Sequence, residues 1–264
     1  GTAAALLAGP LVIALAGWPA WFRLLALLSL LMAAWLWWRI PADPPAPMRG
    51  TAPSGWLHRL RGTLGARGPW FVALAFALYS AQWLSVIGFL PTVYAQAGIG
   101  AAAAGAATAL AAAVNMVGNV ASGRLLQRGV PPRRLLQAGF AVMGLGGVVA
   151  FAPLGLGEGS AVFALRLAGV LLFSAVGGMI PGTLFSLAVR LAPSEGTVST
   201  TVGWMQQWSA VGQFAGPPLV AAVATWTGGW QWSWTVTGAC ALAGFTLAGA
   251  MPRLLGASPN GRGH

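Results

Sequence analysis

The chain has 264 residues, of which 57% are hydrophobic and only 6% charged, and its net charge of +11 comes from 14 basic residues against three acidic ones. A water-soluble domain carries roughly 25% charged residues, so this composition excludes a water-facing globular surface and leaves lipid as the solvent. The apolar runs are long enough for membrane-spanning helices, which need about 20 residues. The alternating segments of about 10 residues that a transmembrane barrel requires are missing.

All 14 basic residues are arginines. They sit between apolar runs, which marks membrane-flanking loops rather than a nucleic-acid surface. The one cysteine, Cys240, lies inside an apolar run and has no partner for an intrachain disulfide. One Cys with two distant histidines, His58 and His264, builds no metal site, and no cofactor is expected.

In chain order, the sequence predicts eight apolar segments. An apolar run starts at Gly1 with no charged n-region, a pattern expected of a chain that begins within a helix rather than of a signal peptide. Residues 1–16 are followed by a break at Gly17-Trp18-Pro19 and a second run at 20–40. Residues 41–68 are rich in Pro and Gly and hold Arg49, Arg59, Arg61 and Arg67. The later runs lie near 70–90, 99–121, 135–154, 160–189, 197–225 and 230–251, with a loop expected at 91–98. Run 160–189 exceeds a hydrocarbon core of roughly 30 Å and must tilt or bend. Pro181, preceded by Gly177-Gly178, is the expected kink.

If 41–68 is cytoplasmic and each run crosses once, twelve arginines fall inside and only Arg23 and Arg166 fall toward the outer side. This bias predicts a multi-pass protein of the cell (inner) membrane with a cytoplasmic C-terminus. Trp230, Trp232 and Trp234 then sit at the outer interface.

The two ends of the chain resemble each other. Gly9-Pro10 is followed by Gly17-Trp18, and Gly216-Pro217 is followed by Gly229-Trp230. A separation of this size exceeds a solenoid period and fits the duplicated halves of a secondary transporter.

The loop Gly123-Arg124-Leu125-Leu126-Gln127-Arg128-Gly129, followed by Arg133-Arg134, is similar to the Gly-x-x-x-Asp-Arg-x-Gly-Arg-Arg loop of the major facilitator superfamily. With the topology of two helices, a basic linker and six helices, and with Gly9-Pro10, it makes the chain resemble helices five to twelve of such a transporter. Gln127 stands in place of the loop's acid, and Pro131-Pro132 lengthen its tail. Residues 174–220 also resemble the cyanate-permease-like branch, through Gly177-Gly178, Pro181 and Gln206-Gln207. The resemblance implies an all-α membrane bundle. Residues 1–40 would supply the last two helices of the N-terminal half, the first of them truncated. Residues 41–68 would be a cytoplasmic linker, 69–252 the six-helix C-terminal half, and 253–264 a cytoplasmic tail.

Polar side chains inside lipid-spanning helices are costly and face a cavity or another helix. Tyr79, Ser80, Gln82 and Ser85 stand out in one run, and Thr108, Asn115 and Asn119 in the next. Ser199, Gln206, Ser209 and Gln213 recur at helical spacing, which places them on one face. Such a stripe either lines a water-filled path or bonds a neighbouring helix. Arg166, about six residues into its helix, either snorkels to the interface or attracts an organic anion. The resemblance places Tyr79, Gln82, Asn115, Arg166, Gln206, Ser209 and Gln213 along a substrate path. It places Gly123, Arg124, Gln127, Arg128 and Arg133 at a cytoplasmic gate.

All three acids, Asp43, Glu158 and Glu195, lie between the apolar runs, so these helices carry no carboxylate for a proton relay. Neither an H-E-x-x-H pattern nor a buried Ser-His pair is present, and no enzyme activity is expected. The expected function is passage of a small solute across the bilayer by alternating access, with protons as a coupling ion only through other helices. The competing expectation is a non-transporting sensor or assembly protein of the same fold.

Overall fold

A computed structural model describes residues 2–41, 55–155, 157 and 159–255, and every element among them is helical. In chain order these are α1 (Thr2–Arg39), α2 (Trp56–Gly65), α3 (Arg67–Gln96), α4 (Ala101–Gln127), α5 (Pro132–Phe151), α6 (Ser160–Gly177), α7 (Met179–Arg190), α8 (Val198–Thr227) and α9 (Ser233–Leu255). Short 3₁₀ turns at Glu195–Thr197 and Trp230–Trp232 precede α8 and α9. Six stretches among the described residues are long and apolar enough to cross a membrane. Helix α8 matches α3 at 30 residues but is interrupted by Gln206, Gln207 and Gln213.

Helix α1 contains both of the first two runs. Gly17 leaves the helical region at φ 78° and ψ 164°, a conformation that suits glycine. The indole of Trp21 then stands 3.4 Å from where a Cβ on Gly9 would be. Along a straight helix those positions would be about 18 Å apart, so the chain doubles back at Gly17. The break expected at Gly17-Trp18-Pro19 is therefore a tight reversal, and one limb leans on α4.

Three expectations are corrected. The linker 41–68 contains α2, a ten-residue helix with Leu60 and Leu64 half-buried and Thr63 buried beneath it. Its apolar pattern is too short, and too broken by Arg59, Arg61 and Gly62, to register as periodicity. Residues 42–54 of that linker lie outside the described residues, as do residues 256–264 of the expected tail.

The loop expected at 91–98 begins later, because α3 continues through Pro91 to Gln96. Pro91 is exposed; a proline removes one backbone hydrogen bond there without ending the helix.

The long run 160–189 does break, but at Gly178 between α6 and α7 rather than at Pro181. Pro181 occupies the first turn of α7, where a missing N–H costs little. Gly178 is where α4 comes closest. A Cβ there would collide with the Asn115 backbone, and one on Gly118 would collide with the backbone of Ala175 and Met179.

The bundle is held together at small residues of this kind. Gly212 and Gly216 of α8 lie directly on the backbone of Ala77 and Ala81 in α3. Gly146 of α5 and Gly169 of α6 each meet the other's carbonyl oxygen at 2.7 and 3.0 Å from the would-be Cβ. Helix α5 also packs on α9, with Gly244 against the ring of Phe140. Between these seams, Phe140, Met143, Phe173, Ile180 and Leu184 form the fully buried centre.

Overpacking a seam should therefore unfold this half of the bundle. Gly212→Leu should lower stability in detergent by about 1–3 kcal/mol or more, read as a thermal midpoint. Gly203→Leu on the same helix, where nothing lies within 4 Å, should leave it unchanged. Equal effects of the two substitutions would contradict a glycine-mediated α3–α8 seam.

Candidate functional site

Two polar networks run through the apolar helices. The first joins α3, α4 and α6. Asn115 Nδ2 donates to the Tyr79 hydroxyl at 3.0 Å and to the Ser174 carbonyl at 2.9 Å. Asn119 Nδ2 donates to Asn115 Oδ1 at 3.2 Å. Ser122 Oγ donates to the Asn119 carbonyl at 2.7 Å. From the other side, Trp83 Nε1 donates to Ser174 Oγ at 3.2 Å. Asn115 therefore reaches the turn of α6 just before the Gly178 break, and the hydrogen bond and the close backbone contact occupy the same place.

The second network lies on the α3–α8 seam. Ser80 and Ser209 share a buried hydrogen bond of 2.7 Å, and Gln213 Nε2 donates to Ser209 Oγ at 3.1 Å. Of the expected α8 stripe, Ser209 packs inward, while Ser199, Gln206 and Gln213 are exposed. The stripe thus straddles the edge of the seam: one serine bonds the neighbouring helix and the long amides open outward. Gln82 lies apart from both networks. It is 1% exposed, its Nε2 bonds only the Leu78 carbonyl at 3.2 Å, and its Oε1 has no partner.

Arg166 bonds the end of a neighbouring helix. Its Nη1 donates to the Ala150 carbonyl at 2.8 Å and its Nη2 to the Ala152 carbonyl at 3.3 Å. The first is one of the last carbonyls of α5, which a helix leaves without intrahelical partners, and the second belongs to the residue that follows the helix. A cation there also meets the negative end of the helix dipole. The same guanidinium borders two adjoining cavities of about 350 and 1060 Å³, which share Gln96, Ala97, Phe163 and Arg166 in their walls. Tyr94 and Trp230 line the smaller one. Trp230 was expected at the outer interface, whereas Tyr94, an aromatic residue near a helix end, did not stand out in the sequence.

The loop likened to the gate closes the opposite end of α4. Arg124 lies in the last turn of α4, Gln127 ends it, and Arg133 starts α5 after the turn at Gly129. Arg124, Gln127, Arg128 and Arg133 are all exposed, and Gly123 is half-buried. Gly123 has open space beside it, so no close approach demands a glycine there.

Long apolar helices seamed at glycines, with polar networks inside them, define a polytopic membrane protein. The sequence matches the Major Facilitator Superfamily over residues 1–217, and the chain belongs to that family. The match is to the superfamily as a whole, and membership makes this a multi-pass protein of solute transport across membranes. No curated protein matches the chain.

Breaking the first network should be measurable. Asn115→Leu removes the donor to both Tyr79 and Ser174, and interhelical bonds in membranes contribute roughly 0.6–2 kcal/mol each. The expected result is a lowered thermal midpoint, together with faster hydrogen exchange around Ser174–Gly178. Tyr79→Phe should cost less, since Asn115 keeps the Ser174 carbonyl. An Asn115→Leu protein as stable as the wild type would remove Asn115 from any structural role.

Proposed function

We propose that this chain belongs to a secondary transporter that moves a small solute unchanged by alternating access, with the solute passing along α3, α4 and α8. The observation that carries this reading is the hydrogen-bonded polarity set into otherwise apolar helices. Tyr79, Asn115 and Asn119 form one set, Ser80, Ser209 and Gln213 the other, and Gln206 stands exposed beside the second. Polar side chains at membrane depth are retained where they serve a path or a helix contact. Ser209 serves the contact and Gln213 is tied to it through Nε2, which leaves the exposed Gln206 as the amide free to meet a solute.

The arginine distribution supports a cell-membrane protein with the α4–α5 and α7–α8 loops and the C-terminus in the cytoplasm. Arg124, Arg128, Arg133, Arg134 and Arg190 all lie at or beside those two connections, and Arg166 lies at the opposite end. The placement of Asp43, Glu158 and Glu195 outside the apolar runs favours passage down the solute's own gradient over proton coupling through these helices.

Uptake into vesicles by the complete reading frame, against a panel of small neutral and anionic solutes, tests this. Saturable uptake is expected, insensitive to an imposed pH gradient, with the solute recovered chemically unchanged. Gln206→Ala should slow it about tenfold, the equivalent of one lost hydrogen bond of roughly 1.4 kcal/mol, at wild-type expression. Uptake that Gln206→Ala leaves untouched would move the path off α8. Well-folded protein that takes up nothing would favour a non-transporting sensor or assembly role.

A further inference from the structure

We propose that the arginine-poor end of the bundle carries a separate binding site for a small organic carboxylate with an apolar or aromatic body, held by Arg166 and Tyr94. The site is the 350 Å³ cavity where the ends of α3 and α5, the start of α6 and the α8–α9 connection meet. That volume falls in the range of small-molecule sites, about 300–1000 Å³.

The polar side chains of its wall are Tyr94, Gln96, Arg166 and Gln231, among aromatic and aliphatic neighbours. A guanidinium carries five N–H donors in a fixed plane. Arg166 uses two of them on the Ala150 and Ala152 carbonyls, which fixes the plane and leaves three N–H to offer. Tyr94, also in the wall, is 5% exposed, and its hydroxyl is buried with no hydrogen-bond partner. Buried hydroxyls are nearly always bonded to something. A carboxylate with one oxygen on the guanidinium and one on the Tyr94 hydroxyl would satisfy both.

The rest of the wall favours an apolar body. Phe163 packs edge-on to the Tyr94 ring, with centroids 5.7 Å apart. Trp230 stacks on Phe89 at 4.8 Å and donates its indole N–H to Gln96 Oε1 at 2.8 Å, which pins the α8–α9 connection beside the cavity. One cation and one unpaired hydroxyl, beside two amides already bonded through Gln96 Oε1 and Gln231 Nε2, match a monocarboxylate better than a strongly hydrated phosphate, which would leave oxygens unpaired.

The site is distinct from the polar networks. Tyr94 lies fifteen residues beyond Tyr79 on α3, about 22 Å along a helix. The inference therefore stands without the transport reading, and its test uses binding alone. Glu158, in the connection before α6, lies outside the described residues and is the one carboxylate of this chain near enough in sequence to compete for Arg166.

Calorimetric titration of the purified chain in detergent, with benzoate as probe and benzyl alcohol as its neutral counterpart, decides the matter. Benzoate should bind saturably and at least about tenfold more tightly than benzyl alcohol, as a charge-assisted hydrogen bond requires. Tyr94→Phe removes only a hydroxyl with no protein partner, so the thermal midpoint should hold or rise while benzoate affinity falls about tenfold. Arg166→Gln should abolish binding, and since it also uncaps α5, the Tyr94→Phe result carries the weight. Equal binding of the two probes, or unchanged benzoate affinity in Tyr94→Phe, would overturn the proposal. So would benzoate binding that appears only in Glu158→Gln, since the guanidinium would then belong to this chain's own carboxylate.

Discussion

The close approach of helix backbones at glycine is the constraint on which the rest of this structure depends. In lipid there is no water to expel between helices, so association rests on packing and interhelical hydrogen bonds. Both require the backbones to come close. The Ser80–Ser209 bond shows why. Two serine side chains are too short to meet at 2.7 Å unless their helices nearly touch, and Gly212 and Gly216 on Ala77 and Ala81 bring them that close. The second seam repeats the logic. Gly118 and Gly178 let α4 meet the α6–α7 break, and only at that distance does the Asn115 amide reach the Ser174 carbonyl. A larger side chain at either seam would separate a polar pair as well as overfill a contact.

Arg166 shows how a charge is accommodated where charges are rare. Placing an arginine at mid-bilayer costs roughly 2.5–3.5 kcal/mol on insertion scales. This one lies near the helix end and gives two N–H groups to carbonyls at the end of α5. The cation and the unsatisfied carbonyls offset each other's cost. Helix α5 has no lysine or arginine in its own last turn, and the neighbouring helix supplies one instead.

The spanning architecture was legible in the sequence because hydrophobic length is a local property. The eight runs reappear once α1 is read as two limbs folded at Gly17 and α8 is counted beside the six more apolar stretches. The misplaced features are those where tertiary contact overrides local chemistry. Pro181 looked like the kink, but the bend follows the contact with α4 and falls at Gly178. Pro91 looked like an end, yet its ring is exposed and α3 continues past it. For the site, the polar residues of α3, α4 and α8 could be singled out, but not their pairing. Tyr79 and Asn115 are 36 positions apart and Ser80 and Ser209 are 129 apart, and nothing in a linear pattern joins them. The Tyr94 cavity was hidden for a further reason: its walls come from four separate elements, and of its polar residues only Arg166 stood out.

These seams also bear on how such a bundle could move. Glycine-rich helix contacts are often read as sliding surfaces, since small residues present little relief. Here two of the seams are also fastened by hydrogen bonds, α3 to α8 through Ser80 and Ser209 and α4 to α6 through Asn115, whereas α5 meets α9 by packing, with Gly244 on Phe140. The bend at Gly178 is held by the Gly178 N–H on the Ser174 carbonyl and by the Asn115 backbone against it, which makes it a fixed shape rather than a hinge. Sliding at these two seams would break such bonds in a medium with no water to replace them. Movement would be easier at surfaces without such fastenings. The contact of α1 with α4 is one, with Leu6 of α1 packed against the buried core. The polar networks would act as internal braces among α3, α4, α6 and α8.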